Sequence, residues 1–193
     1  NIGIGSFVMD SIGSNVAGDN VAVGYNNLTA LTTGDMNTVI GSKAGTAVTI
    51  GSRNTVVGQQ ALISETIGDR STAIGMYSLG LQVSDSDNEA TGNVGVGYNS
   101  GYYNVTGTNN TYLGYSAGFG ASGQSNSNNT AVGKDALLAI TDGGGNVAIG
   151  SGAGAAVAGG NYNVLIGSSA GDVTTAASDV IAIGKDAGGA VIT

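Results

Sequence analysis

Cysteine, histidine, proline and tryptophan are all missing from this chain of 193 residues. Without cysteine there is no disulfide framework, a composition that fits an extracellular or virion protein. Without cysteine or histidine, the common zinc sites and most nucleophilic triads are excluded, so neither an enzyme nor a transition-metal protein is expected. The absence of proline, with no three-residue glycine period, excludes collagen. Charged residues make up only 9% of the chain, and Lys43, Arg53, Arg70, Lys134 and Lys185 are scattered against a net charge of -8. No basic stripe for a phosphate backbone results, and nucleic acid is not an expected partner. No run of about 18 apolar residues occurs, so no helical membrane insertion is expected of this segment.

What remains is small and aliphatic. There are 36 glycines, and 41% of residues are hydrophobic, with few aromatics among them. Disordered chains combine low hydrophobicity with high net charge, which this composition does not.

The order within that composition is a repeat. Asn-Thr-Val-Ile-Gly ends at Gly41, and Asn-Thr-Val-Val-Gly ends at Gly58. Aligned on that glycine, the chain holds eleven copies, at Gly5, Gly24, Gly41, Gly58, Gly75, Gly97, Gly114, Gly133, Gly150, Gly167 and Gly184. Seven of the ten intervals are 17 residues, and the exceptions (19, 22 and 19) are insertions. A stacked repeat behaves in this way, extra residues looping out while the core rung is kept. One solenoid domain over 1–193 is expected. Because Asn1 lies within a repeat, it is expected to be an excerpt of a longer fibre protein.

Each column of the alignment has a physical meaning. The residue before the glycine is aliphatic in every copy, as in Ile40, Val57 and Ile74, and two residues earlier stands a β-branched residue, as in Thr38, Thr55 and Thr72. A period of two with β-branched residues on one side predicts a strand with that side buried. The intervening column is mostly Ala or Gly, broken by Tyr112 and Leu165. Its small residues predict close approach of a neighbouring sheet. A second extended segment is expected at 46–50 and 137–141, followed by a Gly-x-x-Asn turn that uses the positive φ of glycine. Seventeen residues leave no room for a helix of ordinary length, so the fold class is all-β, a parallel β-solenoid of about eleven 17-residue rungs.

Asparagine recurs in one column at Asn1, Asn20, Asn37, Asn54, Asn93, Asn110, Asn129, Asn146 and Asn163. At the 4.8 Å or so between stacked strands, these amides are expected to bond along the axis as a structural ladder. A core this narrow is marginal against backbone entropy, which predicts that identical chains associate, with the small-residue face as the seam.

The segments "NTVIGSKAG", "NTVVGQQAL", "NTAVGKDAL" and "NVAIGSGAG" resemble the repeats of the YadA-like trimeric autotransporter adhesin heads. They are even more similar to the repeats of bacteriophage tail fibre proteins. The resemblance covers all eleven copies. It implies a left-handed β-roll, a homotrimer, and a place on a virion tail fibre, as a structural segment that takes part in attachment to host surface polysaccharide or protein. The alternative it leaves open is the head of a bacterial trimeric adhesin on the cell surface, mediating cell or matrix adhesion. The 17-residue interval and its insertions favour the phage type.

Two clusters stand out from the repetition. Within the longest insertion, Asp85, Asp87 and Glu89 alternate in a manner that resembles part of a calcium loop, but the glycine and the terminal glutamate of that loop are missing. No other cofactor is expected. Directly after the insertion come Tyr98, Tyr102, Tyr103, Tyr112 and Tyr115, joined by Phe119. Tyr98 and Tyr115 share a column and should stack. Two readings are open for Tyr98, Tyr102, Tyr103, Tyr115 and Phe119: an aromatic ladder that stabilises the rod or fills a seam, or a patch that contacts glycans.

Overall fold

The computed structural model describes residues 1–11, 17–86, 90–173 and 175–189. Every repeat contributes one short strand: β1 (Ile2–Ser6), β2 (Val21–Tyr25), β3 (Thr38–Ser42), β4 (Thr55–Val57), β5 (Thr72–Ile74), β6 (Val94–Val96), β7 (Thr111–Leu113), β8 (Thr130–Val132), β9 (Val147–Ile149), β10 (Val164–Ile166) and β11 (Ile181–Ile183). All eleven pair in parallel, in sequence order, as a single sheet. Pairing keeps the repeat in register, so that Thr38 faces Thr55, Val39 faces Val56 and Ile40 faces Val57. Parallel neighbours need a crossover of about a dozen residues, and the rest of each repeat supplies it by coiling back to the next rung. The chain is a β-solenoid, and its rungs at about 4.8 Å make a rod on the order of 50 Å long.

The face of the strand is opposite to the sequence expectation. The middle column is buried, with Ala22, Val39, Val56, Ala73, Ala131, Ala148 and Leu165 at most 1% exposed. The β-branched columns on either side point outward, Ile40 being 41% exposed and Ile149 39%. The interior explains this. One coil is so narrow that a small strand residue and one leucine from the following turn, such as Ala73 with Leu79 or Ala131 with Leu137, fill it. Val56, beside Leu62, is the largest strand residue that shares its rung with such a leucine. The small-residue column therefore cannot be a seam between chains.

The second strand expected at 46–50 and 137–141 is also absent: those residues form turns and bends. After the strand glycine, the second and fourth residues take the left-handed conformation, as in Gln60 (φ 55°) and Leu62 (φ 48°), or Asp135 (φ 58°) and Leu137 (φ 49°). Two such residues so close break the alternation of a strand. Neighbouring side chains, Ala61 and Leu62, both turn inward, and the backbone still bonds from rung to rung, Leu62 N donating to Ser78 O at 3.0 Å. A left-handed leucine costs about 1 to 2 kcal/mol, offset here by its complete burial.

The glycine that closes each strand is there for space as well as angle. At Gly58 (φ 138°) a Cβ would lie 2.6 Å from the carbonyl of Gly75 one rung on. The Gly-x-x-Asn turn differs from expectation in the same sense. Its left-handed residue is the one before the asparagine, Arg53 (φ 61°) for example, and Gly51 is required because a Cβ would meet the carbonyl oxygen of Gly68 at 2.6 Å.

That close approach serves the asparagine column. Asn54 Nδ2 donates to Asn37 Oδ1 at 3.1 Å and to Gly68 O at 3.0 Å, and Asn54 N donates to the same Asn37 oxygen at 3.0 Å. Asn37 repeats the pattern onto Asn20, Asn110 onto Asn93, Asn146 onto Asn129, and Asn163 onto Asn146. Asn129 keeps the backbone bond to Asn110 but sends its side-chain amide to Asn126. These side chains are buried and mutually satisfied, which a turn packed against another rung requires.

Candidate functional site

The repetition fails between the fourth and eighth rungs, and the unusual side chains collect there. The column that carries Leu31 and Val48 inside the early rungs and Ile140 and Val157 inside the later ones continues through Glu65, Gln82 and Asn104 between them. The core thus has a polar middle. Glu65 is fully buried: its Oε1 accepts from the backbone N–H of Thr66 (2.9 Å), Ile67 (3.1 Å), Gly68 (2.8 Å) and Ser84 (3.1 Å), and its Oε2 from Gln82 Nε2 (2.9 Å) and Ser84 Oγ (3.1 Å). Gln82 also donates to Ser71 Oγ at 2.7 Å and accepts from Asn93 Nδ2 at 2.9 Å. Ser71 stands where the asparagine ladder lacks its asparagine, so this network bridges the gap. Asp69 is buried as well, beside Arg53 at 3.6 Å.

Tyr112, which broke the small-residue column, lies wholly inside the coil. Its hydroxyl donates to Asn126 Oδ1, and burial raises its phenol far above the ordinary value. Room for the ring comes from Gly101 and Gly118 on the adjacent turns, which carry no side chain where other rungs carry leucine.

Above this core the other aromatics line the surface of the turn. Tyr98 and Tyr115, in one column, stack with centroids 5.2 Å apart and planes 21° from parallel. Tyr102 and Phe119 form a second parallel pair at 5.9 Å and 14°. Tyr77 stands edge-on to both sets, 6.3 Å from Tyr98 and 6.0 Å from Tyr102. Tyr103 packs edge-on against Tyr102 and Phe119 at 4.8 and 5.0 Å. Between them is a recess of about 460 Å³, lined by Tyr77, Tyr98, Tyr102, Tyr103 and Phe119 with the amides of Gln60 and Asn99. Burial, and after it the neighbouring Tyr103, Tyr77 and Tyr98, raises the Tyr102 phenol above its ordinary value. Tyr115 lies outside the lining, half exposed, with Lys134 Nζ 6.0 Å above its ring.

Four of the five aromatic candidates named from the sequence therefore line one recess, and Tyr115 extends it along the axis. Tyr77, Gln60 and Asn99 escaped the sequence reading. All three occupy the column after that of Tyr98, a signal present in the alignment. A second, polar recess of about 350 Å³, bounded by Asp142, Asn161 and Tyr162 among others, was also not anticipated. Of the calcium candidates, Asp85 is exposed, and Asp87 and Glu89 lie outside the described residues; among the described residues no cluster of acids is placed to hold a metal ion.

No protein-family model, curated protein or solved structure matches the chain.

Proposed function

We propose that the chain is a structural segment of a phage tail fibre, three copies of the solenoid packed together, projecting from the virion and taking part in attachment to host surface polysaccharide. One observation carries this reading. The two outward columns of the strands, such as Thr38 and Ile40, Thr55 and Val57, Thr72 and Ile74, Val147 and Ile149, hold no charged residue, and none of their side chains is buried. The column before the glycine, aliphatic in every rung, forms an apolar ribbon along the rod, flanked by a column of valine, isoleucine and threonine, and monomeric proteins rarely leave so large a continuous patch in water. Because the strands are in register, a second copy with a parallel axis presents the same ladder rung for rung, and every rung then adds buried apolar area at about 25 cal/mol per Å². Three is the number that the resemblance to tail fibre and adhesin repeats implies. The aromatic recess starts on the turn that follows the strand glycine, at Tyr98, beside the ribbon and outside its two columns, and its half-buried lining is open to host contact.

Sedimentation equilibrium of the purified chain tests the assembly: a mass three times that of the chain is the expected result, and a monomer at micromolar concentration overturns it. Binding of the labelled chain to encapsulated and capsule-free bacteria tests attachment, with retention by the encapsulated cells expected.

A further inference from the structure

The aromatic recess has a chemistry that narrows its ligand. Two parallel ring pairs, Tyr98 with Tyr115 and Tyr102 with Phe119, offer aromatic faces and edges, and Tyr77 closes the space between the columns. The polar groups among these rings are phenol hydroxyls and the amides of Gln60 and Asn99. Phenols and amides donate and accept equally well. No charged side chain lines the recess. Lys134, the cation nearest along the tyrosine column, sits over Tyr115 and pairs with Asp135 at 3.4 Å. A volume of about 460 Å³ falls within the 300 to 1,000 Å³ or so of sites that take small ligands.

We infer that this recess binds an uncharged saccharide, its C–H faces stacked on Tyr98, Tyr102 and Phe119 and its hydroxyls paired with Gln60, Asn99 and the tyrosine phenols. The inference rests on the fibre reading and gives it a contact site and a ligand class. Three arguments select the ligand. An acidic sugar or a nucleic acid would bring its negative charge to a lining that holds no cation, on a chain of net charge -8. A lipid chain would leave the two amides unpaired. A proline-rich peptide, the other partner of aromatic grooves, offers mainly carbonyl acceptors and would leave the amide carbonyls of Gln60 and Asn99 without donors, whereas a polyol satisfies both. The fold supplies the rigidity. Tyr102 lies over Gly80, where a Cβ would come within 2.6 Å of its ring, and the polar network of Glu65 and Gln82 fixes the rungs below.

The test uses the whole chain on a printed array of neutral and acidic bacterial polysaccharides with decaproline as a further spot, followed by titration of the best neutral glycan. The chain has no tryptophan, so tyrosine fluorescence reports directly on binding. Binding confined to neutral glycans and weakened about tenfold or more by Tyr102→Ala is expected. Asn99→Gly, at a left-handed position (φ 55°) that glycine accepts, should weaken it without disturbing the fold, and carries the test if Tyr102→Ala fails to fold. No binding to any neutral glycan, stronger binding to acidic glycans or decaproline, or affinity unmoved by either variant overturns the inference. Sedimentation of the same samples separates the two readings. A trimer whose variants still hold encapsulated bacteria leaves the fibre standing without this site, and a monomer that binds neutral glycan through the recess leaves the site without the fibre.

Discussion

The ring of Tyr112 fills the space that any side chain on Gly118, six residues later on the same rung, would need. This is one instance of a volume exchange. Where leucine stands at the fourth position after the glycine, mid-strand holds alanine or valine, as Ala73 with Leu79 and Ala131 with Leu137; the rungs with a large mid-strand residue carry glycine there, Tyr112 with Gly118 and Leu165 with Gly171, and at Gly154, on the rung of Ala148, Leu137 and Leu165 of the neighbouring rungs fill the space. We expect Gly118→Ala to cost about 2 to 4 kcal/mol, from overpacking and from a side chain in a left-handed position (φ 58°). Tyr112→Ala should cost about 3 to 5 kcal/mol by leaving a cavity. Tyr112→Ala combined with Gly118→Leu recreates the Ala131 and Leu137 pattern and should be more stable than Tyr112→Ala alone. Urea unfolding of the three variants checks this, and a double variant less stable than either single one contradicts the exchange.

Glu65 is a buried carboxylate without a cation, held by four backbone N–H groups, a serine hydroxyl and the Gln82 amide. Glu65→Gln keeps one oxygen for the N–H groups but sets an NH₂ against the Gln82 Nε2 donor, while the Ser84 hydroxyl can turn to accept. Gln82 cannot simply turn over, because its oxygen already accepts from Asn93. The substitution should cost about 2 to 4 kcal/mol, and urea unfolding monitored by circular dichroism measures it. Loss below about 0.5 kcal/mol would mean that the network is dispensable.

The buried Tyr112 phenol gives an alkaline dependence. Its folded-state pKa is raised by burial, so the unfolded chain releases this proton first, near the ordinary tyrosine value of about 10. Stability from this group is complete below that pH and falls as pH rises above it, because the native state then binds more protons. Tyr112→Phe loses the bond to Asn126, whose oxygen keeps a second donor in Asn129 Nδ2 at 2.9 Å. The variant should be about 1 kcal/mol less stable at pH 8 and should lose that deficit above about pH 11. Thermal melts across pH 8 to 12 decide it, and parallel curves for the two proteins would contradict the assignment.

Period, strand position and asparagine column were legible because each recurs at a fixed place, and recurrence survives ignorance of the third dimension. Inside and outside were not. A strand with aliphatic and β-branched residues on one side and alanine on the other reads as buried on either side, and only the leucine of the following turn, as Leu79 beside Ala73, decides which face it can share a narrow coil with. The left-handed turn was hidden for a related reason. Gln60, Leu62, Lys43 and Arg53 are residues that seldom adopt positive φ alone, and here stacking imposes it. The recess inherits that difficulty, because Tyr77 and Tyr98, from adjacent columns, reach the same surface only when the backbone between columns is left-handed.

The sharpest test of the orientation of the strand uses two neighbours in β3. The sequence pattern places Ile40 in the core, so Ile40→Asp would be expected to prevent folding. Val39 is 1% exposed and Ile40 41% in the solenoid, which reverses the expectation. Val39→Asp buries an unpaired charge among Leu28, Gly45 and Val48 and should abolish folding, seen as loss of the β signal in circular dichroism. Ile40→Asp sets its carboxylate on the apolar ribbon, where a single rod leaves it in water. It should keep the β signal while driving the proposed trimer toward monomers, because packing along this ribbon would draw three such carboxylates together out of water. Adding Val57→Asp on the next rung should deepen that dissociation without unfolding the chain. An Ile40→Asp protein that is unfolded would place this column in the core after all, and one that stays folded and fully trimeric would move the seam off this ribbon.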